Sequence, residues 1–121
     1  DVALKLGADY AINVDEEDPR ERIQEITSGE GVDVSIDCTA GAGTVPVLLG
    51  LDALKRKGGT ILVQGEVGLF PDFPMSQVTN KYVTIKSARG HNYLSCELAL
   101  KQLSSNRFPK PIGSYNVAKL E

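Results

Sequence analysis

Residues 32–64, VDVSIDCTAGAGTVPVLLGLDALKRKGGTILVQ, decide the fold. Val32, Val34, Ile36 and Cys38 alternate, the period of a strand with one apolar face. A glycine-rich turn, Gly41-Ala42-Gly43, leads into residues 44–57, which are apolar at Val47, Leu48, Leu51 and Leu54, the period of a helix. Lys55, Arg56 and Lys57 are predicted to fill its last turn, where cations complement the helix dipole, before Gly58-Gly59 ends it. Residues 60–64, TILVQ, read as a strand buried on both faces. Strand, helix and strand at this spacing form a βαβ unit, whose right-handed crossover makes the two strands parallel.

The same alternation continues on both sides. Upstream, residues 1–6 place Val2, Ala3 and Leu6 on one helical face and stop at Gly7. Residues 9–14, DYAINV, are a short strand candidate. Asp18 offers an N-cap with Pro19 in the first helical position, and Ile23 and Ile26 form an inward stripe before Gly29. Downstream, residues 83–88 are another strand, and residues 93–103 another helix with Leu94, Leu98 and Leu103 inward. The pattern predicts an α/β fold with a mostly parallel, doubly wound sheet.

Composition bounds what such a chain does. With 121 residues there is one domain at most, and 41% hydrophobic with 24% charged content is that of a globular chain. A net charge of −3 argues against nucleic-acid or anionic-membrane partners, and no apolar run reaches the ~18 residues of a membrane span. Cys38 and Cys96 read as reduced thiols of a cytoplasmic protein, with one disulfide left open. Asp1 is read as a processed terminus or a cut.

In parallel α/β sheets, ligands sit beyond the carboxyl ends of the strands. Here those ends are residues 38–41, 64–66 and 87–90, all small or glycine-containing, so a flat ligand can approach the backbone. Glycines at strand ends also simply make tight turns. The run Gly41-x-Gly43 imitates a dinucleotide fingerprint but fails at its third position, Pro46. His91 has no spaced carboxylate or nucleophile and reads as a solvated loop residue. Cys38 reads as a buried packing residue, and Cys96 has no basic neighbour to activate it. Asp37 is a candidate to bond loop backbone, lacking a second carboxylate for a catalytic dyad. The acidic run at residues 15–18 favours the following helix dipole rather than a metal. Neither a catalytic constellation nor a metal site emerges.

The phrases LGADYAINVDEEDPRERIQEIT, GVDVSIDCTA, LDALKRKGGTILVQGE, VTIKSARG and ELALKQL, in this order, resemble the nucleotide-binding domain of medium-chain, zinc-type alcohol dehydrogenases, polyol dehydrogenase-like members above all. The resemblance implies a Rossmann-like sheet ordered 3-2-1-4-5-6 that begins here inside its second helix, without the first strands and the glycine fingerprint. Residues 1–108 are then a partial NAD(P)-binding domain, and residues 109–121 a tail returning to the catalytic domain. Thr39, Ala40, Gly65, Glu66, Ala88, Arg89 and Gly90 fall where the family lines its cofactor groove, and Gly41 completes the first strand end. The cofactor is NAD or NADP, held weakly or not at all by the isolated chain. Zinc and its ligands belong to the complete family enzyme, so no catalytic or metal residue is carried over and the isolated chain is expected to be inactive. The strand at residues 9–14 is left without its neighbours. Residues 69–82, with Phe70 and Phe73 exposed among prolines, and the strand after them are expected to pair two copies across a two-fold axis. The alternatives are a non-catalytic α/β interaction module or another α/β nucleotide binder.

Overall fold

The computed structural model describes residues 2–105. Helices α1 (Val2–Lys5), α2 (Pro19–Ile26), α3 (Val45–Ala53), α4 (Met75–Lys81) and α5 (Tyr93–Ser104) alternate with strands β1 (Val34–Asp37), β2 (Thr60–Val63) and β3 (Thr84–Ser87). The chain divides into two compact units, residues 13–89 and residues 1–12 with those from 90 onward. The boundary at residue 108 and the tail at 109–121 lie outside the described residues.

The larger unit holds the sheet. Its order is β1-β2-β3, both pairs parallel, with Val34 opposite Thr60 and Thr60 opposite Thr84. This is the α/β, Rossmann-like arrangement the alternation predicts. Leu51 and Leu54, in and just after α3, close over Ile61 of β2, with Val32, Val63, Val78 and Val83 packed around them. Val78 lies on α4, so α3 and α4 share one face of the sheet. Gly50 lies on Ser35, where a Cβ would collide with the serine side chain. The side chains of Ser35 and Asp37 therefore point toward α3, and those of Val34 and Ile36 point away.

That alternation corrects the predicted inward face of β1. Val34 and Ile36 are 53% and 58% exposed, while Asp37 is only 5% exposed. Cys38, expected to be buried, is exposed because the strand has already ended at Asp37. In β1 the open face thus carries the apolar residues, and the helix-covered face carries a carboxylate.

Helix α3 also ends earlier than predicted, at Ala53, leaving Lys55, Arg56 and Lys57 outside it. The cause is local strand pairing. Leu54 turns extended and forms a parallel bridge with Val32, with bonds from the Val32 amide to the Ala53 carbonyl and from the Lys55 amide to the Val32 carbonyl. Gly31 permits this approach: at φ +79°, its Cβ would stand 2.7 Å from the Lys55 nitrogen. The cation that meets the helix C-terminus comes from α4 instead. Lys81 Nζ donates to the carbonyls of Leu51, Asp52 and Leu54 at 2.8, 3.1 and 3.3 Å.

Residues 9–14 form no strand. A strand exists by pairing, and these residues pair with none of the three strands. Asn13 instead folds the chain locally, its side chain accepting from the Asp15 amide and its carbonyl from the Glu16 and Glu17 amides. Asp18 caps α2 as expected, accepting from the Arg20 amide at 2.7 Å, with Pro19 in the first turn. Within its own unit α5 buries no residue, and Leu94, Leu98 and Leu103, predicted inward, are exposed.

Candidate functional site

The carboxyl ends of β1 and β2 meet in a cluster centred on Asp37. One carboxylate oxygen, Oδ1, accepts from the Thr39 amide at 2.9 Å and from Thr39 Oγ1 at 2.7 Å, the local loop bonding anticipated for this residue. The Asp37 carbonyl accepts from the amides of Gln64 and Gly65 at the end of β2. Beyond the strands, Ala40 and Glu66 continue the pairing as a parallel bridge. Asp37 thereby ties the exits of β1 and β2 together.

Gly65 is the tightest point. A Cβ there would strike the Thr39 carbonyl oxygen and stand 2.8 Å from Asp37 Oδ2. Only the missing side chain lets the two loops approach so closely. The second carboxylate oxygen, Oδ2, is buried and has no hydrogen-bond partner. Native structures rarely leave such an acceptor unpaired.

At the rim, Arg89 Nη2 donates to Glu66 Oε1 at 3.0 Å, linking the loops after β2 and β3, with both side chains largely in solvent. Cys38 Sγ lies 3.5 Å from Gln64 Oε1 on the same exits. A half-open cavity of about 300 Å³ runs from Thr39, Asp37 and Pro46 down between α3 and the open edge of β1 to Ile23 and Val34. Its mouth includes the α3 N-terminus, whose capping residue Thr44 makes no side-chain bond to the helix.

The residues singled out in the sequence are thus largely gathered. Thr39, Ala40, Gly41, Gly65, Glu66, Ala88 and Arg89 follow the three parallel strands at the same end of the sheet. Gly90 is the first residue of the other unit. Three features were missed: the burial of Asp37, the reach of Lys81, and helix α4. The Asp-x-Thr spacing, a side-chain turn signal, marks the loop bonding of Asp37 but not its burial, and nothing in the sequence marked the partner of Lys81.

Three parallel strands joined by helices, with small residues at their exits, define an α/β sheet of the Rossmann-like type. The chain belongs to the zinc-binding dehydrogenase family, whose model matches residues 1–105. It is 32% identical over 110 residues to a sorbitol dehydrogenase of Halalkalibacterium halodurans, covering 87% of this chain and 30% of the relative. It is 31% identical over 115 residues to an erythritol/L-threitol dehydrogenase of Mycolicibacterium smegmatis, covering 89% and 29%. Among solved structures, the benzyl alcohol dehydrogenase of Acinetobacter calcoaceticus superposes with a TM-score of 0.67 at 27% identity over 89% of this chain and 30% of its own. The alcohol dehydrogenase of Aeropyrum pernix shares the fold, with a TM-score of 0.70 at 24% identity over 84% and 28%. The chain therefore spans about a third of the length of these relatives.

Small residues at the exits of three parallel strands suit the close backbone approach of a nicotinamide dinucleotide at this end of the sheet. Zinc does not fit. Among the described residues no three His, Cys, Asp or Glu side chains converge as a ligand set.

Proposed function

We propose that this chain forms one wall of the NAD or NADP groove in a zinc-type alcohol or polyol dehydrogenase. The observation that carries the reading is that small residues, Thr39 to Gly41, Gly65 and Ala88, follow three parallel strands at one end of the sheet, where a flat ligand can approach the backbone. Thr39, Ala40 and Gly41 would line it on the β1 side, Gly65 and Glu66 on the β2 side, and Ala88, Arg89 and Gly90 on the β3 side. The bound dinucleotide supplies hydride transfer; this chain supplies backbone contacts, orientation and the rim charges of Glu66 and Arg89. Substrate alcohol and zinc would be held by residues other than these, so the chain alone is proposed to be inactive and to bind the cofactor weakly. Residues 1–108 are proposed as the cofactor-domain portion and 109–121 as the tail beyond it. Two free, exposed thiols suit a cytoplasmic setting. Among the described residues no helix is long and apolar enough to cross a membrane.

The test is an amide chemical-shift titration of the full chain with NAD⁺ and NADP⁺ at millimolar concentration. Expected are shifts confined to residues 39–41, 65–66 and 88–90. A chain whose shifts fall elsewhere, or which shows none, would be a non-catalytic α/β module instead.

A further inference from the structure

We draw no further inference here: the strongest candidate, the half-open, largely apolar cavity between α3 and the open edge of β1, carries nothing because nothing in the structure shows what covers it.

Discussion

At the residue scale, close backbone approach and buried charge govern the site, and single substitutions read them directly. Gly65→Ala inserts a methyl 2.8 Å from Asp37 Oδ2 and against the Thr39 carbonyl, both held by the clamp. Overpacking of this kind costs about 1–3 kcal/mol, so urea unfolding should show that loss with an unchanged m-value. A second residue works from a distance. Lys81 satisfies three carbonyls at the end of α3, and Lys81→Met keeps the stem but leaves them without their donor. The expected destabilisation is about 2 kcal/mol by the same measurement, and a change near zero would show that water replaces the ammonium without loss. Asp37 was legible as a residue bonding its own loop, because Asp followed two positions later by Thr favours a side-chain turn. Its burial was not. Alternation puts either parity of a strand inward, and in residues 32–38 the apolar set pointed to the wrong one.

At the scale of elements, the helix caps were the most readable features and the strand at residues 9–14 the least. Asp18 followed by Pro19 specifies a helix start by its own chemistry, with no partner required, and the structure shows that cap. Asp18→Ala should therefore cost about 1 kcal/mol, detected as lost stability without loss of sheet signal in circular dichroism. A strand, by contrast, is specified by what lies beside it. DYAINV has strand composition, yet it pairs with no strand and Asn13 turns it locally. Helix α3 shows the same dependence: its period continues to Leu54, but the bridge from Val32 draws the backbone out at that point. Helix α4 escaped because the prolines of residues 69–74 conceal its start, and its seven residues give too few turns for a period to emerge. Among the strand exits, small residues were visible in the sequence; what joins them is tertiary.

At the scale of the molecule, the exposed apolar residues beside β3 bear on the self-association expected from residues 69–82. Phe70 and Phe73 were expected in solvent, but they are half-buried and meet edge to face, with centroids 4.9 Å apart. Each shields the other, so they are poor anchors for a second chain. The exposed apolar surface around them is carried by Leu69, at 93% exposure, with Met75, Tyr82 and Ile85. Among the described residues β3 pairs with β2 on one side only, which leaves its other backbone edge to meet its own copy. A symmetric contact would use this surface on both chains, and truncating its outermost members should abolish it. The suitable variant is Leu69→Ser with Tyr82→Asn. Tyr82 holds a left-handed backbone at φ 52°, a conformation asparagine adopts more readily than tyrosine, so the second substitution does not strain the fold. What it removes is the ring and the loose contact of Lys57 with it, 5.6 Å from its centroid. Light scattering should find the parent as a dimer and the double variant as a monomer with an unfolding midpoint close to the parent's. If both run as the same species, residues 69–82 are not the contact. Association would then have to use the open edge of β1, where Val34 and Ile36 offer the other exposed apolar strip of this sheet.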